Sequence, residues 1–175
     1  MIAYAANLAT IVAIFGILAA TLNFVVGFAG IFSVAHAVFF GLGAYAGAQV
    51  ALHIVPDALL ACVVAAVVAG GLSLCLALPA LRVRGEYFVA ASLGLQMMAT
   101  TLFSEAKAFT GGIGGLVAIP RPTLFGVEVS VLPLALVALA LMLFATALLQ
   151  RGAFGRTLQA LRDAESAAEA LGKNV

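Results

Sequence analysis

Charge is what this sequence has least of. Of its 175 residues, seven are Asp or Glu and eight are Lys or Arg, 9% in all. A soluble globular domain carries about 25%. The first charged side chain is Asp57, so 56 uncharged residues stand in front of it. A soluble fold with such a front would not stay dispersed, whereas lipid is a solvent that accepts it. The net charge of +1 gives no field that would draw nucleic acid or an acidic partner. No basic run suggests a headgroup anchor.

Other scarcities exclude particular chemistries. The two cysteines, Cys62 and Cys75, lie in one apolar stretch. On a helix they are about 20 Å apart in rise, beyond disulfide reach, and they read as small apolar side chains. The two histidines, His36 and His53, are too sparse to support a metal site. No G-x-x-x-x-G-K-[ST] pattern occurs, so ATP hydrolysis by this chain is not expected. The glycine loop Thr110–Leu116 lacks the following lysine of a phosphate cradle and reads as a flexible turn. No cofactor is expected. The N-terminus has no basic region ahead of its first apolar run, so a cleaved leader is not expected either.

What is present is hydrophobic residue, 65% of the chain, gathered into five segments near 2–22, 24–52, 58–81, 87–103 and 129–149. Each is long enough to cross a hydrocarbon core as a helix, and none alternates as barrel strands do. The expected fold is all-α: a polytopic transmembrane bundle of about five spans over 1–150, then a cytoplasmic amphipathic helix in 151–175. Asn23 separates the first two segments. The stretch from His53 to Asp57 ends the second, and Arg82 to Glu86 ends the third. Thr110–Glu128, with five glycines and Pro120 and Pro122, reads as a loop. Alternating the loops through five spans puts Arg82, Arg84, Arg151, Arg156, Arg162 and Lys173 on one side, with Lys107 and Arg121 on the other. The positive-inside rule makes the first side cytoplasmic, and the N-terminus then lies outside.

The second segment is rich in glycine: Gly27, Gly30, Gly41, Gly43 and Gly47. Gly43 and Gly47 form a small-xxx-small pair, as do Ala44 and Ala48, and Ala65/Ala69 and Ala66/Gly70 repeat the theme in the third segment. Such spacing lets helix backbones approach closely. Two readings stand: tight packing alone, or a broken helix lining a pathway through Gly27, Gly30, Ser33, His36, Gly41 and Gly43. Irregular backbone at membrane depth is tolerated only against protein or water. Ser33 and His36 are functional candidates as polar groups inside the membrane. A hydrogen bond that fixes the break is preferred over substrate contact. They could approach each other on one helix face, yet a hydrolytic triad would still lack its acid. The missing intramembrane carboxylates also weaken an ion-coupled carrier.

After Leu149 the sequence turns polar and helix-prone. Leu158, Leu161, Ala164, Ala168 and Leu171 recur near helical spacing, and Gly172 stands where a C-cap would. A helix resting on the membrane is one reading. A helix presenting small residues to a partner groove fits its acidic residues better.

Four motifs in order resemble one known family. The stretch Gly155-Arg156 to Ala160-Leu161-Arg162-Asp163 and Glu165 to Gly172 resembles the EAA-type coupling segment of ABC importer permeases. Leu22 to Gly30 with Ser33 to Tyr45, Pro79 to Phe88, and Thr110-Gly111-Gly112 with Gly115-Leu116 are similar to permeases for branched-chain amino acids, in the LivM-like branch more than the LivH-like one. The pattern departs from the family's at Ile31 and Ala35. The resemblance implies a multi-pass inner-membrane permease subunit and not an enzyme. It implies as partners cytoplasmic ABC ATPase subunits, a second permease subunit and a periplasmic substrate-binding protein. It also implies ATPase coupling through Gly155, Arg156, Arg162, Glu165, Ala168 and Gly172. The family continues into further spans after this segment, so the chain is expected to be a truncated permease. A non-transporting membrane scaffold or an inactive fragment is the alternative.

Overall fold

The computed structural model describes residues 1–80 and 86–163. It is all-α apart from one two-stranded hairpin. Among the described residues four helices are long and apolar enough to cross a membrane: Ala3–Phe28, Ala58–Cys75, Tyr87–Glu105 and Val131–Arg151. At most 6% of any of these windows is buried within the chain. Apolar helices that bury so little of themselves need lipid or further protein around them.

The chain forms two compact units, residues 1–32 with 132–175 and residues 33–131. In the first unit, α1 (Ile2–Asn23) runs into a π-helical turn, Phe24–Phe28. Ala29 N–H donates to Phe24 O at 3.3 Å and Ile31 N–H to Val25 O at 3.3 Å. These are wider steps than the four-residue α-helical repeat. The continuous apolar helix Ala3–Phe28 has 26 residues, about 39 Å of rise. That exceeds a hydrocarbon core of about 30 Å, which a tilt accommodates. The sixth helix, α6 (Val131–Arg151), belongs to this unit over nearly all its length. Its Pro133 lies in the first turn, where a missing N–H costs no hydrogen bond. Gly16 of α1 faces Leu139 of α6, where a Cβ would stand 3.3 Å from Leu139 Cδ1. Beyond Gly152 comes α7 (Ala153–Asp163).

In the second unit, α2 (His36–His53) and α3 (Ala58–Ala80) form a hairpin. The Asp57 carboxylate starts α3 as an N-cap, accepting from Leu59 N–H at 2.9 Å and Leu60 N–H at 3.0 Å. The helices meet along Gly43, Gly47, Ala61, Ala65 and Ala69. A Cβ on Gly43 would lie 3.7 Å from Ala65 O and from the Ala69 methyl, and one on Gly47 3.5 Å from Ala61 O. Ala65 and Ala69 thus form the seam, while Gly70 has open space where its Cβ would be. The expected Ala66/Gly70 pair therefore points away from α2. Helix α4 (Glu86–Glu105) packs Ala99 against Ala35 and Val38, with Phe39, Leu42, Leu95 and Phe103 around them.

The loop before α6 carries local structure of its own. It holds a single helical turn, α5 (Lys107–Thr110), a 3-10 turn, Gly112–Gly114, and the hairpin β1 (Thr123–Leu124) with β2 (Val127–Glu128). The buried Thr110 hydroxyl is shared between Phe103 O and Ala106 O and accepts from Gly112 N–H. Gly111, at φ 77°, has Gly115 O where a Cβ would be. Thr123 N–H donates to Pro56 O at 2.7 Å, so this loop is tied to the α2–α3 turn.

The second expected span, 24–52, is not one helix. Its first five residues extend α1, residues 29–35 leave the helix, and α2 starts at His36. Asn23 is no boundary, because the absent Gly27 side chain leaves room for its own. A Cβ on Gly27 would fall 2.9 Å from Asn23 Oδ1. The chain turns out of the helix at Gly30, whose φ of 70° is open to glycine at little cost.

Candidate functional site

The sequence-derived pathway residues do not form one cluster. Gly27 and Gly30 lie at the end of the first span. There they meet a side chain from the other end of the unit, Arg162 of α7. The Arg162 guanidinium donates through NH1 to the Gly27 carbonyl oxygen. Its aliphatic stem occupies the space beside Gly30: a Cβ there would stand 3.1 Å from Arg162 Cδ and 3.2 Å from its Cβ. The same guanidinium donates through Nε to Asp163 Oδ1 at 2.9 Å and pairs with it through NH2 at 2.8 Å. Pathway and coupling candidates, more than 130 residues apart in sequence, are thus brought together.

The rest of α7 explains two more candidates. Gly155 is buried at the elbow between α6 and α7. A Cβ there would stand 2.7 Å from Gln150 Cα and from Leu149 O, so only glycine lets α7 fold this tightly onto α6. Arg156 donates through NH1 to Arg151 O at 3.1 Å, capping the carbonyl end of α6. Ala153, Arg156, Ala160 and Asp163 are exposed at spacings of three and four residues, one face of the helix, while Leu158 and Leu161 are partly buried. Phe154 beside them is 58% exposed. Glu165, Ala168 and Gly172, and the basic residues Arg82, Arg84 and Lys173, lie outside the described residues.

In the second unit, Ser33 lies in the irregular stretch and His36 is the first residue of α2. The two are therefore not on one helix face. Gly41 abuts the Phe103 ring, with 3.0 Å from a built Cβ to Cε2, and Gly43 lies in the α2–α3 seam. Both serve close helix contact where they stand. Among the described residues no three His, Cys, Asp or Glu gather as a metal site.

Sequence reasoning missed Ser92. Its side chain, 6% exposed, accepts from Val34 N–H at 3.1 Å and donates to Val89 O at 2.8 Å. It anchors the backbone of Val34, two residues before α2 begins. The only hint was the polar content of the fourth segment. Thr100, Thr101 and Ser104 turn their hydroxyls back to their own helix. Gln96, one turn beyond Ser92, has a buried Oε1 without a hydrogen-bond partner among the described residues.

Comparison with known proteins agrees with this architecture. Residues 4–175 match the family described as the permease component of branched-chain amino acid transport systems. The chain is 32% identical over 194 aligned positions to the high-affinity branched-chain amino acid transport system permease protein LivM of Escherichia coli (strain K12), and equally to that of Salmonella typhimurium (strain LT2). In each case 95% of this chain is covered but 45% of the relative, so the chain spans about half the length of the curated relatives it matches. No solved structure matches it. A match over nearly every residue, on helices of this length and apolarity, means that the chain belongs to the family of permease components of branched-chain amino acid transport systems, multi-pass in the cell inner membrane and a transport component rather than an enzyme.

Proposed function

We propose that this chain builds part of the translocation path of an ATP-driven importer that carries leucine, isoleucine or valine across the inner membrane. A separate cytoplasmic ATPase subunit supplies the work by docking on α7 and the residues after it. A second permease subunit completes the path, and a periplasmic binding protein delivers the substrate. Residues 1–150 form the membrane part and 151–175 the cytoplasmic coupling segment. The named function of the LivM relatives supports the substrate class.

The observation that carries the reading is α7 itself. It is an amphipathic helix held against the end of a membrane span by an elbow with no room for a side chain at Gly155. Its outer face of Ala153, Arg156, Ala160 and Asp163 is open to a partner. A helix so mounted can pass a push from that partner to the span. The arginines Arg151, Arg156 and Arg162 around it favour the cytoplasmic side.

The test is co-expression with the ATPase subunit, purification from membranes and reconstitution with the binding protein. The ATPase subunit co-purifies, Gly172→Asp and Ala160→Asp release it, and leucine uptake requires ATP. Failure of the unsubstituted chain to retain any ATPase subunit would favour a non-transporting scaffold. Maleimide labelling of Asp163→Cys in a Cys62→Ala, Cys75→Ala background should occur from the cytoplasm. Labelling from the periplasm would remove the docking assignment.

A further inference from the structure

We infer that Arg162 is a positioning residue that ties the docking helix to the break in the first span, so that motion of α7 is delivered to residues 24–30 of the same chain. The inference rests on the permease reading above and assigns Arg162 a role facing inward, toward its own chain.

Three features of the contact carry it. First, the backbone it grips departs from the regular α-helix. The π-helical turn ends at Phe28, and Gly30 turns the chain out at φ 70°. Such turns in helices are points of local adjustment. Second, the grip is directional. A guanidinium presents its donors in a rigid planar fork. Nε and NH2 engage Asp163 Oδ1 while NH1 reaches Gly27 O. Asp163 thereby aims the group, and rotation of α7 must carry the Gly27 carbonyl with it or break a charge-assisted bond. Third, the close approach requires an absent side chain. The stem of Arg162 fills the position of a Cβ on Gly30, so the glycine that permits the break also makes room for the strut.

The other arginine of α7 completes the geometry. Arg156 caps Arg151 O at the end of α6, while Arg162 engages Gly27 in the π-helical turn that follows α1. The helix is thus linked by two cations to two spans, one α-helical to its end and the other ending in a π-helical turn and Gly30. The regular end resists movement, and the glycine turn is where displacement of α7 is absorbed. Chains of hydrogen bonds between rigid elements are one physical route by which coupling travels. The Arg162 side chain is 41% exposed, so no packed core replaces the hydrogen bond once it is cut.

The experiment uses the full chain in its complex with the ATPase subunit, reconstituted in vesicles, and reads substrate moved per ATP hydrolysed. With Arg162→Ala the ATPase subunit still co-purifies and the ratio falls about tenfold, the size expected for one hydrogen bond to a charged group. Arg162→Lys, which can still donate to Gly27 O, restores part of the ratio. Gly30→Ala lowers the ratio with Arg162 intact, and the double variant is no worse than the lower single one. A disulfide between Gly30→Cys and Arg162→Cys, made in a chain without Cys62 and Cys75, stops uptake until reduced. An unchanged ratio in Arg162→Ala overturns the inference. Loss of ATPase co-purification in Arg162→Ala also overturns it, because Arg162 would then be a docking contact. Additive losses in the double variant overturn it as well. If the unsubstituted complex binds no ATPase subunit or moves no substrate, the permease reading fails instead.

Discussion

The α2–α3 seam allows a graded perturbation at Gly43. A Cβ there would meet Ala65 O and Ala69 Cβ at 3.7 Å and Ala65 Cβ at 3.9 Å. These are ordinary contact distances, so alanine fits without displacing either helix. Alanine also favours helix over glycine by about 1 kcal/mol at an exposed site. Gly43→Ala should therefore be neutral or stabilising by up to about 1 kcal/mol. Leucine adds three further carbons where the facing helix already stands in contact. Overpacking of this kind costs about 1–3 kcal/mol, and membrane helices that rely on close backbone approach have no hydrophobic gain to offset it. A loss of about 2 kcal/mol shifts the folding equilibrium constant roughly 30-fold. Gly70 is the control: nothing lies within 4 Å of its Cβ position, so Gly70→Leu should leave stability within about 0.5 kcal/mol. The assay is unfolding of the purified protein in mild detergent by added dodecyl sulfate, followed by far-ultraviolet circular dichroism. Equal losses for leucine at positions 43 and 70, or a loss for Gly43→Ala as large as for Gly43→Leu, would refute the seam.

Three further outcomes follow from the described contacts. Ser92→Ala strands the Val34 N–H that its hydroxyl now accepts from, which should cost about 1–3 kcal/mol in the same titration; an unchanged midpoint would mean that the α2 entry is held by other groups. Asp57→Ala removes both side-chain bonds at the start of α3 and should cost about 1 kcal/mol, with Asp57→Asn recovering most of it. Gly155→Ala forces a methyl to within 2.7 Å of Leu149 O, so α7 must swing off the end of α6. The ATPase subunit should then be lost from the purified complex while the membrane part remains folded, and undiminished recovery of the pair would show that the elbow does not position the docking face.

Much of the membrane architecture was legible from apolar run lengths. The final span begins at Val131 where the hydropathy pattern suggested about 129, and α3 and α4 fall within a few residues of their expected segments. These spans are readable because lipid imposes one requirement, an apolar helix of sufficient length, that needs no partner to define it. The amphipathic character of α7 was legible for a similar local reason. The glycine-rich second segment was not, since a run of glycine and alanine serves a tight seam and a broken helix equally well. Gly43 and Gly47 became seam residues because Ala61 and Ala65 happened to stand opposite. Gly27 lets the helix run on because Asn23 takes the space its side chain would need, and Gly30 ends it where Arg162 does the same. Ser92 escaped notice because a serine in a polar helix looks like any other until the Val34 N–H is set against it. The order in the loop before α6 escaped for a matching reason, as it depends on Thr110 and on the distant Pro56 carbonyl.

The amino-acid order by itself determined that this chain lives in lipid, where its plainly apolar helices run and that a polar helix follows the last of them. Those properties follow from hydrophobicity summed along a single helix, a local quantity. Only the tertiary structure decided which glycines separate helices and which end one, and that Arg162 turns back to grip Gly27. Those choices depend on what stands opposite each position, and backbone-to-side-chain distances across the fold are not encoded in any one stretch of sequence.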